Sequence, residues 1–188
     1  MRAALLDGSP SGHDACRPAV DALRRSLSEA GYTVEEFTLA GLPMAPCRGC
    51  FACWVATPGR CPVGDASELV ARGVIGSDLA VFFSPLAFGC WHSTLKKALD
   101  RMIGLVSPFF DASGLTRHKP RYRRYPAMLG VGWLPGPQPE AEAVFARLAE
   151  HTAYNLRARA AASLVLMGDR EWSVHRQHCL TALGRIKP

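Results

Sequence analysis

The chain has 188 residues, of which 48% are hydrophobic and 20% are charged, and its formal net charge is +6. This composition is ordinary for a globular protein with one sizeable core, which argues against disordered and fibrous classes. No apolar run approaches the roughly 18 residues that a membrane helix needs, and the first residues are typical of a buried strand rather than a signal peptide. We therefore expect a cytoplasmic protein without a membrane partner, whose basic surface suits anionic partners.

Short apolar runs bounded by turn residues predict buried strands, and apolar residues at helical spacing predict a helix in each interval between them. Four such runs cover residues 3–6, 79–83, 127–133 and 163–167, and a fifth predicted strand at residues 33–39 alternates more, which places it nearer an edge of the sheet. The predicted helices lie near residues 20–30, 65–74 and 95–103 and after Pro139, with Gly31 ending the first and an Asp65–Glu68 capping box opening the second. This alternation predicts an α/β fold with a parallel sheet between helices.

We expect a single domain over residues 1–188, with a tail at 168–188 that carries no predicted element. Two connections are too long to be plain turns, and long loops in compact domains are usually functional or disordered. The first covers residues 40–64 and contains four cysteines, and the second covers residues 107–126 and is rich in arginine.

Two strand ends carry residues suited to a ligand, and ligands of open parallel sheets bind beyond the carboxyl ends of the strands. Gly8-Ser9-Pro10-Ser11-Gly12 follows the first strand, where backbone N–H groups, hydroxyls and a helix N-terminus favour a phosphate. The chain has neither the dinucleotide-binding glycine pattern nor a P-loop. Residues 84–91 follow the third strand and offer an apolar wall for a flat ring, or form a hydrophobic turn.

At these residues the chain resembles the NADPH-dependent FMN reductases, and especially the iron–sulfur flavoprotein branch of the flavodoxin-like superfamily. The resemblance rests on four stretches in the expected order: Gly8-Ser9-Pro10, Cys47-x-x-Cys50-x-x-Cys53 with Cys61, Ser84-Pro85 through Gly89, and Leu95 through Arg101. It implies a flavodoxin-like, doubly wound sheet of five parallel strands in the order 2-1-3-4-5, with FMN as cofactor and NAD(P)H as electron donor. It also implies a homodimer or homotetramer.

The resemblance implies three groups of FMN contacts. Ser9, Ser11 and Gly12 contact the phosphate. Pro85, Leu86, Ala87, Phe88 and Gly89 line the isoalloxazine, while Gly132 and Trp133 close its other side. The chain departs from the family where an Asn-Thr pair usually follows, since it has Ala15-Cys16 there and Asp14 adds a negative charge. No side chain is assigned as a catalytic acid or base, because the flavin supplies the chemistry.

The cysteine-rich loop allows three interpretations. Cys47, Cys50 and Cys53 at x2-x2 spacing can converge on a [4Fe-4S] cluster, with Cys61 as the fourth ligand, as in iron–sulfur flavoproteins. A zinc site would more commonly use two separated Cys-x-x-Cys pairs. The third interpretation is a loop without metal, in which the thiols are structural.

The basic loop also allows several interpretations. The basic residues of this loop alternate with aromatic ones: Arg117, His118, Lys119, Arg121, Tyr122, Arg123, Arg124 and Tyr125. Such a segment can hold NADPH phosphates as a lid, contact nucleic acid, or form a solvated connection or subunit interface. Because no nucleic-acid module is recognisable, we expect no nucleic-acid partner.

The leading functional hypothesis is an NAD(P)H-dependent flavin oxidoreductase that reduces a quinone, a flavin or another acceptor. The first alternative is an FMN/[4Fe-4S] electron-transfer protein without a small-molecule substrate. The second is a flavodoxin-like binding module that has lost its flavin.

Overall fold

The most apolar segments of the chain form the strands of the sheet, as the sequence predicts. The computed structural model describes residues 1–186. Its strands are β1 (Arg2–Asp7), β2 (Thr33–Thr38), β3 (Leu79–Ala87), β4 (Cys90–Trp91), β5 (Val106–Asp111), β6 (Arg117–Pro120), β7 (Ala127–Leu134) and β8 (Ala161–Met167). Five of them are parallel in the order β2-β1-β3-β7-β8. The predicted α/β fold and its 2-1-3-4-5 strand order are therefore confirmed.

Helices cover both faces of this sheet. They are α1 (Arg17–Glu29), α2 (Ala52–Val55), α3 (Ser67–Gly76), α4 (Ser93–Arg101), α5 (Pro139–Asn155) and α6 (Trp172–Ile186). Alternate residues of the central strands point to opposite faces. Leu5, Val81 and Leu129 pack under α1 and α6, whereas Leu6 and Phe82 pack under α3, α4 and α5. The two apolar clusters share one sheet. Because its five strands are parallel, their carboxyl ends all lie at the same edge.

The segment after Met167 differs from the prediction, because α6 forms within what the sequence suggests is a tail. Cys179, Leu183 and Ile186 of this helix are buried against α1 and the sheet. They recur at helical spacing, but the polar residues between them obscure the pattern. Residues 187 and 188 of the predicted tail lie outside the described residues.

The basic loop is an ordered antiparallel hairpin of β5 and β6. The Arg117 guanidinium donates to the carbonyl of Tyr154 at 3.1 Å and lies 4.7 Å from the centre of the Tyr154 ring. Arg121 donates to the carbonyl of Val106, and Arg124 pairs with Asp78. Arg117 therefore anchors the hairpin to α5, and Arg124, just beyond the hairpin, anchors the loop to the residue before β3, whereas Arg121 bonds back to β5. No helix within residues 1–186 is both long enough and apolar enough to cross a membrane.

The capping box predicted at the start of α3 forms only in part. The Asp65 carboxylate accepts a hydrogen bond from the Ser67 N–H at 3.0 Å. Glu68, however, pairs with Arg60 and Arg72 instead of returning to the Asp65 N–H. Two arginines outcompete the single backbone donor for this carboxylate, since charge-assisted hydrogen bonds are the stronger ones.

Candidate functional site

The loop after β1 leaves the sheet at a closely packed glycine. The Gly8 N–H donates to the carbonyl of Phe83 at 2.8 Å. A Cβ at Gly8 would lie 2.6 Å from the Leu95 Cβ and 2.8 Å from the Phe83 carbonyl oxygen. Only glycine fits there, and the contact fixes where the loop begins relative to β3 and α4.

The same loop has main-chain donors that the rest of the chain does not use. Within residues 1–186, the N–H groups of Ser11 and Gly12 have no hydrogen-bond acceptor. Both residues are exposed, and Gly12 has the left-handed backbone, with φ +75°. They stand ahead of α1, at the end of that helix where its unpaired N–H groups favour an anion. This part of the loop matches what a phosphate needs.

Ser9 lies differently from its two predicted partners. Its N–H donates to the Asp7 carboxylate at 2.9 Å. Its hydroxyl oxygen is buried without a hydrogen bond of normal geometry, although the hydroxyl interacts with the Cys16 thiol. The loop thus opens toward solvent at Ser11 and Gly12, whereas Ser9 faces inward.

Two carboxylates lie near this loop, Asp7 at the end of β1 and Asp14 shortly after Gly12. Asp7 is 2% exposed at the carboxyl end of β1. Burial, followed by the negative charge of Asp7, raises the pKa of the Cys16 thiol to about 12. Cys16 is therefore a neutral thiol at physiological pH. Asp14 is exposed at the start of a short 3-10 turn, where its charge opposes a phosphate.

The predicted isoalloxazine loop is a hairpin in which β3 continues to Ala87 and turns back as β4. Phe88 and Gly89 form the two-residue turn, and both have positive φ (52° and 75°), as a type I′ turn requires. Phe88 is fully exposed at the tip. A Cβ at Gly89 would lie 2.8 Å from the Val144 Cβ, so the turn contacts α5.

The solvent exposure of the other residues predicted to line the isoalloxazine increases along the chain. Pro85 is buried, Leu86 is half-buried and Ala87 is exposed. Beneath the hairpin, the Ser84 hydroxyl accepts a hydrogen bond from the His92 N–H at 2.8 Å. His92 caps α4 by accepting from the Thr94 N–H at 3.2 Å, so it is a helix-start residue.

Gly132 and Trp133, at the end of β7, contact two different parts of the site. The Leu86 side chain fills the space over Gly132, where a Cβ would lie 2.7 Å from the Leu86 Cδ1. The Trp133 ring meets the His13 ring edge-on, with 5.5 Å between the ring centres. His13 is a site residue that the sequence reasoning missed, although its place directly after Gly12 was the available signal.

All four loop cysteines line one cavity, together with Arg48 and Arg101. Cys53 is buried, Cys61 is half-buried, and Cys47 and Cys50 are exposed. Burial and then the charges of Cys61, Cys47 and Cys50 raise the pKa of the Cys53 thiol. These thiols therefore interact electrostatically, and the two arginines can offset the negative charge of thiolates.

Trp54 links the cysteine-rich loop to the segment that leads into β5. The indole N–H is shared between the carbonyls of Ile103 at 2.9 Å and Val106 at 3.1 Å. The side chains are not yet arranged as ligands, because no three His, Cys, Asp or Glu residues among residues 1–186 are placed to hold a metal ion. The four thiols suit an iron–sulfur cluster or zinc in kind and number, provided that the exposed pair closes inward.

One family model and several known proteins match this chain. The model of the family described as NADPH-dependent FMN reductase matches residues 1–162. An iron–sulfur flavoprotein from Methanocaldococcus jannaschii is 28% identical over 101 residues, or 54% of this chain and 51% of that protein. The chain therefore spans about half the length of this curated relative.

Solved structures show the same fold over the full chain. An NAD(P)H:quinone oxidoreductase from Methanothermobacter marburgensis superposes with a TM-score of 0.71 at 16% identity, covering 97% of this chain and 96% of that one. Oxidised flavodoxin 1 from Bacillus cereus superposes with a TM-score of 0.57 at 10% identity, covering 100% of both chains.

Proposed function

Because the chain belongs to the NADPH-dependent FMN reductase family, we propose that it is a flavin-dependent oxidoreductase that passes electrons from NAD(P)H to a quinone, a flavin or another acceptor. The family membership confirms the resemblance drawn from the motifs. The observation that supports the proposal best is the pair of free N–H groups at Ser11 and Gly12, placed ahead of a helix at the carboxyl edge of the sheet.

Each part of this edge has a role in the proposal. Ser11 and Gly12 hold the FMN phosphate, with Ser9 fixing the loop from below. The hairpin over Pro85, Leu86, Ala87, Phe88 and Gly89 provides an apolar wall, and Gly132 and Trp133 bound the opposite side. FMN, when bound, accepts a hydride from NAD(P)H and releases electrons singly or in pairs. The protein residues orient the ring and exclude water.

The first experiment compares FMN with riboflavin, since these ligands differ only in the phosphate. We expect FMN to bind more tightly, as measured by quenching of flavin fluorescence. Ser11→Asp places a negative charge on the loop and should weaken FMN binding by about tenfold or more, while leaving riboflavin binding unchanged. Ser28→Asp, the same substitution on an exposed residue of α1 far from the loop, is the matched control. Equal binding of FMN and riboflavin would contradict the assigned phosphate site.

The second experiment tests the reaction. Anaerobic mixing of the FMN-loaded protein with NADPH or NADH should bleach the flavin absorbance, and a quinone should then restore it. A protein that holds FMN but is not reduced by either nucleotide would contradict the oxidoreductase and favour an electron carrier.

A second candidate function is electron transfer through FMN and a [4Fe-4S] cluster at Cys47, Cys50, Cys53 and Cys61. It is favoured by the single cavity that these four thiols line. Anaerobically purified protein should then contain about four irons and matching acid-labile sulfide per chain. Cys50→Ser should lose iron, whereas Cys90→Ser, at an exposed cysteine outside the cavity, should retain it. Iron-free protein that still binds FMN would reject the cluster and leave the oxidoreductase standing.

A further inference from the structure

A second cavity of about 280 Å³ adjoins the cysteine cavity. It lies between α3, residues 59–61, the 3-10 turn Met102–Leu105 and Tyr122. It shares Cys61 and Arg101 with the cysteine cavity. None of the residues assigned to FMN lines it. We call it the arginine cleft, because Arg60, Arg72 and Arg101 are among its lining residues.

Arg101 contributes a buried donor that lacks an acceptor. The residue is 6% exposed. Its Nη1 donates to the Ala45 carbonyl at 2.8 Å, and its Nη2 donates to Asp65 at 2.9 Å and to the Ser67 hydroxyl at 2.8 Å. Its Nε has no partner within residues 1–186. Because a buried N–H without an acceptor is unfavourable, an acceptor beside Arg101 would stabilise this arrangement.

Arg60 and Arg72 converge on the cleft because they share one carboxylate. Arg60 Nε lies 2.9 Å from Glu68 Oε2, and Arg72 Nη2 lies 2.7 Å from Glu68 Oε1. Hydrogen bonds from Arg72 and Arg60 lower the pKa of Glu68, which therefore stays ionised. Each guanidinium has five N–H donors, so both retain donors for a further anion.

The charges around the cleft do not cancel. Its three guanidinium groups face two carboxylates, Glu68 at the cleft and Asp65 behind Arg101. One positive charge remains, and the planar donors of arginine suit phosphate and carboxylate groups. An anion would therefore be attracted to this cleft.

Apolar side chains also line the cleft and leave room for a ligand body. Ala71, Ile75 and Leu105 line it. Gly59 has φ +86° and lines the cleft without a side chain. A Cβ at this position would lie 3.5 Å from the Tyr122 hydroxyl. A cleft lined by both charged donors and apolar side chains fits a small ligand with one charged and one apolar end.

We propose that the arginine cleft binds a small organic anion, in which a phosphate or carboxylate contacts the arginines and an aromatic or aliphatic body packs on Ala71, Ile75 and Leu105. Such a ligand would lie against the wall that the cleft shares with the cysteine cavity. The inference does not depend on the proposed flavin chemistry, because it concerns different residues.

Calorimetric titrations at low ionic strength test this inference with phenyl phosphate, benzoate, inorganic phosphate and phenol as probes. They are made on the full chain with saturating FMN present. They are repeated with Ser11→Asp, so that the loop after β1 (residues 8–12, the phosphate loop) does not contribute to anion binding. We expect phenyl phosphate or benzoate to bind, and phenol, which lacks the anion, to bind at least about tenfold more weakly.

The decisive variant is Arg60→Gln/Arg72→Gln, since both side chains are largely exposed (67% and 74%) and their loss leaves the core intact. It should weaken binding of the organic anion by about tenfold or more. Arg24→Gln removes one positive charge from an exposed arginine–aspartate pair on α1 and should leave binding unchanged. Unaltered binding in the double variant, or no binding to the unmodified chain, would overturn the proposal.

The probes also distinguish the anionic group and test the apolar wall. Tighter binding of phenyl phosphate than of benzoate assigns the cleft to phosphorylated ligands, and the reverse order assigns it to carboxylates. Inorganic phosphate should bind more weakly than phenyl phosphate. Equal affinities for inorganic phosphate and phenyl phosphate would show that the phenyl ring makes no contact with the apolar residues of the cleft. That result would overturn the proposed ligand class.

Discussion

Two buried thiols have pKa values that make the stability of this protein sensitive to alkaline pH. Burial and the charge of Asp7 raise the pKa of Cys16 to about 12, and burial raises that of Cys179 to about 11, from an ordinary value of 9.0. Below about pH 9 both thiols are protonated in the folded and the unfolded chain. Above it, the unfolded chain loses protons that the folded chain retains, which favours unfolding.

We therefore expect the free energy of unfolding to fall as the pH rises from about 9 toward 11, as measured by urea denaturation at a series of pH values. Replacing Cys16 and Cys179 together with serine should reduce this slope, even if the variant is less stable at every pH. The pKa of Tyr32, which burial also raises, contributes in the same direction at higher pH. Parallel curves for the two proteins would contradict the assignment to the thiols.

Gly8 offers a direct test of the packing that positions the phosphate loop. Gly8→Ala introduces a Cβ against the Leu95 Cβ and the Phe83 carbonyl. We expect a loss of about 1–3 kcal/mol in the free energy of unfolding, because overpacking forces the backbone to shift, and weaker FMN binding. Gly41→Ala is the control, since a Cβ there meets no atom within 4 Å and φ is not positive. Equal stability of the two variants would show that the close approach tolerates a methyl group.

The sequence reveals some site residues better than others, and the reason is geometric. Ser11 and Gly12 are predictable because a Gly- and Ser-rich turn between strand and helix exposes N–H groups wherever it occurs. The inward orientation of Ser9 is not predictable, since it depends on the Asp7 carboxylate below the loop. Arg101 is harder still, because its partners Ala45, Asp65 and Ser67 come from a separate loop and helix. Such long-range contacts leave no local signal.

Strands and helices are predictable to the degree that each has its own apolar pattern. Four of the five parallel strands have short, nearly continuous apolar runs, whereas β2 reads Thr-Val-Glu-Glu-Phe-Thr and is identified by its position between two helices. The β3–β4 hairpin is not evident, because Phe88 replaces the usual Asn or Asp at a position with positive φ. The β5–β6 hairpin is hidden for another reason, since Arg117 is held by the carbonyl of Tyr154, which is distant in sequence.

Helix α6 provides a test of its contribution to the fold. Leu183 is 1% exposed and belongs to the apolar cluster with α1. We expect Leu183→Ala to lower the free energy of unfolding by about 2–5 kcal/mol, the usual range for a buried leucine. Thr181→Ala, at an exposed position of the same helix, should be nearly neutral. A small effect of Leu183→Ala would mean that α6 contributes little to the stability of the sheet.

The two apolar clusters lie on opposite faces of one sheet, and β1, β3 and β7 contribute residues to both. Disrupting either cluster therefore disturbs the strands on which the other cluster packs. We expect one cooperative transition in urea, with near-ultraviolet and far-ultraviolet circular dichroism changing together. This measurement tests the single domain proposed over residues 1–188. Two separated transitions would contradict it.

The homodimer or homotetramer implied by the family resemblance stays a prediction, which light scattering of the purified protein checks.

The cysteine cavity has a consequence for how such proteins diversify. Cys47, Cys50, Cys53 and Cys61 all belong to one connection between β2 and α3, and within residues 1–186 no strand of the parallel sheet lines the cavity. Lengthening a surface connection adds little closure entropy, because that cost grows only with the logarithm of loop length. A change in this single connection can therefore alter all four thiols while the residues of the sheet stay unchanged.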